Sequence, residues 1–152
     1  MHLEKYDFVS NPAYTSFAFQ SAGAHGTIEK VINYQPIPGF ILSDGRQVIN
    51  LGFGDWDEGH RKVDDSTVSN NGDRSKVLST VASTIFAYME KHGKLPVFAK
   101  GNCPSRTRLY QMSLNAHLAE EEEFFNVFGL LQDGWHPFRP GVNYQAFLVT
   151  KK

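Results

Sequence analysis

Two short stretches of this chain place reactive residue types beside the starts of helical patterns. Asn71-Gly72-Asp73-Arg74 precedes one and Asn102-Cys103-Pro104-Ser105-Arg106-Thr107-Arg108 precedes another. Backbone N–H groups at a helix N-terminus lack intrahelical partners and carry partial positive charge, so they attract anions. Gly72 permits close backbone approach, and Arg74 adds a charge. In a parallel strand–helix–strand–helix unit both helix starts lie at one sheet edge, where ligands of open α/β folds bind. Lys100, Arg106 and Arg108 could then converge with Arg74 on one anion. The reading is of a binding corner made by Asn71, Gly72, Asp73, Arg74, Asn102, Arg106 and Arg108. The plainer alternative is structural: Arg106 and Tyr110 stack on a helix surface, and Arg108 pairs with Glu120 or Glu123.

A second group is acidic: Asp55, Asp57, Glu58, Asp64 and Asp65. Paired carboxylates can hold a divalent cation or act as a general base. The spacing matches no calcium loop, and turn-forming carboxylates between strands are common, so the structural reading is favoured. Trp56 inside this group marks a contact surface if its ring is exposed. The six histidines, His2, His25, His60, His92, His117 and His136, share no metal-ligand spacing, and no metal is expected. Cys103 before a helix would have a lowered thiol pKa, but an inert thiol is the favoured reading. Trp135 to Gly141 reads as an aromatic loop with a structural role.

The elements that would position these residues change period along the chain. Tyr6 to Val9, Thr15 to Gln20, Thr27 to Tyr34, Gln47 to Phe53 and Arg61 to Val68 read as strands. Pro36 and Pro38 close the third, and Asp55 to His60 turns the fourth into the fifth. Asp73 to His92 then carries Val77, Leu78, Val81, Ala82, Ile85 and Met89 at helical spacing. Asn71 or Asp73 caps its start and Gly93 ends it. Leu95 to Lys100 is a strand, Cys103-Pro104 opens a second helix with Leu109, Met112 and Ala116 as its stripe, and Glu120 to Glu123 is a solvated charge run. Phe124 to Leu131 and Asn143 to Thr150 are the last strands, with a turn at Asp133-Gly134. The expected fold is α/β (α+β): a mixed, mostly antiparallel sheet with two main helices, in one domain spanning residues 1–152.

Bulk composition narrows the classes. Lys and Arg number 15 against 16 Asp and Glu, a balance that disfavours a nucleic-acid binder. Cys103 is the only cysteine, so no intrachain disulfide can form. No apolar run reaches the roughly 20 residues of a membrane span, and residues 1–5 lack the pattern of a signal peptide. The expectation is a cytoplasmic protein with no membrane partner.

The segments Gly54-Asp55-Trp56-Asp57, Ser69-Asn70-Asn71-Gly72-Asp73-Arg74, Arg106-Thr107-Arg108-Leu109-Tyr110 and Gly141 to Val149 together resemble a small bacterial family of unknown function. The resemblance covers nearly the whole chain and implies no activity. The element order is also similar to the acyl-CoA N-acyltransferase (GNAT) superfamily. That similarity implies coenzyme A or acetyl-CoA as cofactor, with pyrophosphate at Val68 to Lys76, Asn102 nearby, Tyr110 protonating the leaving thiolate and Asp57 as base. In the superfamily loop Q/R-x-x-G-x-G/A this chain has Ser69, Gly72 and Arg74. The expected function is therefore acyltransferase-like. The alternative is a non-catalytic protein-interaction module gripping its partner around Trp56 and the Arg106–Arg108 corner, for example one half of a toxin–antitoxin-type pair. Nucleic-acid binding ranks below both.

Overall fold

The computed structural model describes residues 4–64, 71–101, 107, 111 and 124–152. Its strands are β1 (Val9–Ser10), β2 (Ser16–Gly23), β3 (Gly26–Ile41), β4 (Gln47–Asp57), β5 (Lys62–Asp64), β6 (Val97–Ala99), β7 (Phe125–Leu131), β8 (Gly134–Pro137) and β9 (Phe147–Lys151). One helix, α1 (Arg74–His92), is described along its whole length. Among the described residues sheet thus predominates, with nine strands in one mixed sheet. The expected two-helix, GNAT-like order is overturned. Most of the expected second helix lies outside the described residues.

Segments assigned to turns and loops turn out to be strand, which tips the balance towards sheet. β3 runs through Pro36 and Pro38 to Ile41 instead of stopping. Two prolines at alternate positions remove N–H groups from one side of a strand only, so the other side can still pair. The Gln47 side-chain amide also donates to the carbonyls of Ile37 (2.7 Å) and Phe40 (3.1 Å). β4 extends through Trp56 and Asp57, so the turn is shorter than expected. Trp135 to Pro137, read as loop, is β8, hydrogen-bonded to β7 with Leu130 opposite Trp135.

The chain divides into two interleaved units. One contains His2–Tyr34 and Gly52–Gly93. In it β1, β2 and β3 form antiparallel hairpins, with Phe17 opposite Ile32 and Phe19 opposite Lys30. β5 pairs with the end of β4, Trp56 facing Val63. Phe17, Phe19, Ile32 and Tyr34 are buried, as are Ala82, Ile85, Tyr88 and Met89 of α1. Tyr34 stacks on Tyr88 at 4.6 Å and its hydroxyl meets that of Thr84 at 2.7 Å. Burial raises the Tyr34 phenol well above its ordinary pKa.

The helix stripe is more polar than its sequence suggests. Ser79, Thr80 and Thr84 are fully buried, while Val77, Leu78 and Val81 are half-buried. Threonine is tolerated there because its hydroxyl bonds back into the helix: Thr80 to the Lys76 carbonyl and Thr84 to the Val81 carbonyl, both 2.7 Å. Gly93, at φ 97°, ends the helix, its N–H bonded to the Met89 carbonyl at 2.8 Å.

The other unit contains Gln35–Leu51 and Lys94–Lys152. β6 lies parallel to the first half of β4, Ile49 opposite Val97, and antiparallel to β9, which pairs in turn with β7. The parallel pair needs a long crossover, and the connection that supplies it includes α1. Val48, Val97, Phe125, Phe147 and Leu148 are buried at its core. Tyr144 packs against Phe138 and Phe147, over Gly129, where any Cβ would overlap its ring. Among the described residues, no helix is long and apolar enough to cross a membrane.

Candidate functional site

The start of α1 is fastened to the tip of the β2–β3 hairpin. Asn71 is buried and its side chain is fully engaged: its nitrogen donates to Gly26 O (2.9 Å) and Ser21 Oγ (3.2 Å), and its oxygen accepts from His25 N (2.6 Å). The Asn71 carbonyl takes the Ala24 N–H at 3.2 Å. Gly23 makes this approach possible, since a Cβ there would collide with that carbonyl oxygen. Gly72 sits at φ 79°, a left-handed conformation that suits glycine.

Asp73 is the N-cap position, yet its carboxylate makes no bond to the helix N–H groups. It accepts instead from the hydroxyls of Tyr6 (2.6 Å) and Ser21 (2.5 Å). The Tyr6 ring stacks on Phe19 at 5.6 Å and lies 4.2 Å under the Lys76 ammonium. Arg74 is the first residue of α1. The corner expected to welcome an anion thus carries a carboxylate of its own, and the side chains of Asn71 and Asp73 are bonded within the unit.

The β4–β5 turn is the second part of the candidate site. Gly54 allows β5 to lie close, since a Cβ there would fall 2.5 Å from the Asp64 carbonyl oxygen. The half-buried Trp56 donates its indole N–H to Glu58 Oε2 at 2.5 Å. Asp57 accepts from the His60 backbone (3.2 Å) and lies 2.8 Å from His60 Nδ1. The His60 side chain, followed by its backbone N–H, holds the Asp57 carboxyl below the usual carboxylate range. A depressed folded pKa favours the fold above the ordinary carboxylate value, and the benefit is lost as pH falls through the lower folded value. Following the Asp57 carboxyl carbon by NMR should give a midpoint below that of free aspartate. It should return towards the ordinary value in His60→Ala; an unchanged midpoint in that variant would mean that the contact does not hold in solution.

Spacing alone did not reveal the most buried ion pair among the described residues. Lys30 Nζ lies 2.6 Å from Asp55 Oδ1, with side chains 5% and 16% exposed, and 5.9 Å from the centre of the Phe53 ring. The signal was present: Lys30 falls on the same alternating side of β3 as Ile28, Ile32 and Tyr34, where an apolar residue belongs. Asp55 is therefore a core partner and not a turn carboxylate.

Asp65, Asn102, Cys103, Arg106, Arg108 and Tyr110 lie outside the described residues. Arg74 and Lys100 belong to different units. Among the described residues no three His, Cys, Asp or Glu side chains group to hold a metal ion. A family model, DUF6934, described as a family of unknown function, matches residues 2–152. No curated protein and no solved structure matches the chain.

Proposed function

The chain belongs to DUF6934, a family of unknown function, and from its geometry we propose that it is a non-catalytic protein-interaction module whose contact surface includes the Trp56–His60 turn. The observation that carries this reading is Asp73. Its carboxylate, held by Tyr6 and Ser21, places negative charge at the start of α1, where coenzyme A would need to bring its pyrophosphate. The acyltransferase reading also drew its support from a two-helix order that the nine-stranded sheet replaces. The turn has what a contact surface needs. Trp56 is tied to Glu58 and Asp57 to His60, so two anchors are ordered before any partner arrives.

Calorimetric titration with acetyl coenzyme A is the first test. No saturable heat at millimolar ligand is the expected result. Saturable binding that weakens in Arg74→Ala would overturn the proposal and return Tyr110 and Asp57 to the roles of acid and base. On the interaction side, Trp56→Ala should weaken capture of a protein partner about 30-fold or more, as loss of a central aromatic anchor does, with the fold retained by circular dichroism.

A further inference from the structure

We infer that residues 4–10 form an exchangeable arm, and that the groove it fills accepts the same arm from a second copy of this chain. The arm is seated chiefly by Tyr6, whose ring lies between Phe19 and Lys76 and whose hydroxyl meets the Ala22 backbone. The Tyr6 N–H bonds to Thr80 Oγ1 at 2.8 Å and its hydroxyl to Asp73. Phe8 meets Phe17 edge-on at 5.6 Å. Only Val9 and Ser10 pair with β2, opposite Ala18 and Phe17. Each of these contacts is equally available to an identical arm, so exchange loses none of them.

The hinge supplies the bias. Between arm and β2 the chain turns through Asn11-Pro12-Ala13-Tyr14, and Tyr14 is held at φ 57°, a left-handed conformation unfavourable for a bulky residue. Pro12 pushes the residue before it towards extended backbone. Opening the hinge releases Tyr14 but gives up the bonds that the Asn11 side chain accepts from the Thr15 and Ser16 N–H groups. Of the three exposed large hydrophobic residues described, Tyr14 at 41% lies in this hinge and Val9 at 71% just before it. In an exchanged pair the two straightened hinges run side by side, and these side chains cover one another. The inference concerns a surface apart from the Trp56 turn and does not depend on the proposed function.

Intramolecular closure acts at an effective concentration of about 1 mM, so exchange should grow as protein concentration approaches that value. Light scattering of the full chain from about 10 µM to about 1 mM should show mass rising from monomer towards dimer. Val9→Cys with Ala18→Cys, in a Cys103→Ser background, places one thiol on each of two paired residues. Oxidised at high concentration it should give disulfide-linked dimers on a non-reducing gel. Asn11→Ala should raise the dimer fraction, and Tyr14→Gly, which removes about fivefold of bias at each of the two hinges, should weaken the dimer about 25-fold. Monomer mass throughout, or a dimer whose engineered disulfides all lie within single chains, would overturn the inference. Should the thiols fail to link, opposite shifts in Asn11→Ala and Tyr14→Gly support it, and no shift in either sinks it.

Discussion

Asp55→Ala is expected to destabilise the fold by about 1–3 kcal/mol in urea denaturation, the usual cost of removing one hydrogen-bonded partner from a buried charged group. The substitution takes away the carboxylate 2.6 Å from an ammonium that is only 5% exposed. Returning that ammonium to water would pull apart the face it shares with the buried Ile32 and Tyr34. The pair itself contributes far less than its breakage costs, because desolvating two charges offsets most of their attraction. Lys30→Met combined with Asp55→Leu should therefore recover most of the loss, or exceed the parent. A cost below about 1 kcal/mol for Asp55→Ala would show that another group takes over Lys30, and that Asp55 is dispensable to the core.

Gly129→Ala is the second large effect, expected near 3 kcal/mol, the upper range for forcing extra volume into a packed core. The new methyl would land inside the Tyr144 ring. β7 cannot retreat, because Gly129 is paired with His136 on one side and Phe147 on the other. Tyr144 cannot retreat either: its backbone N–H bonds to Gln111, and its hydroxyl accepts the Arg139 N–H at 3.0 Å. In a Tyr144→Ala background the same glycine substitution should cost only a few tenths of a kcal/mol. An equal cost in both backgrounds would place the strain in the strand and not in the ring.

These two sites show where sequence reasoning reaches and where it stops. The apolar residues of Gln47 to Phe53 and of Phe124 to Leu131 marked strands that exist, and Gly93 marked the end of α1. Such signals are local, carried by the period of the backbone. What escaped depends on distant partners. Pro36 and Pro38 look like strand breakers until Gln47 is seen to satisfy the carbonyls beside them. Thr80 and Thr84 look like surface residues until their hydroxyls are seen to bond back to the helix. Asp73 looked like a helix cap beside an anion site; its partners are Ser21 and Tyr6, 52 and 67 positions away. At the turn, the identities of Trp56 and Asp57 were legible but their placement at the end of β4 was not.

The interleaving of the two units sets an order on events during synthesis. Every residue of the unit holding α1 has been made by Gly93, before any of β6, β7, β8 or β9 exists. Its closure can then begin, joining Tyr6 to Thr80 across 74 positions. Ile49 must wait beyond that point: Val97, its partner in the parallel pair, arrives 48 positions after it and four after Gly93. At ribosomal speed that delay is about 2–10 s. Through that interval Val48, Ile49 and Leu51 form an apolar strand whose β6 neighbour has not been made. Slowed translation between Leu51 and Val97 should therefore promote aggregation, whereas a pause after Lys151, with every strand of that unit already made, should not.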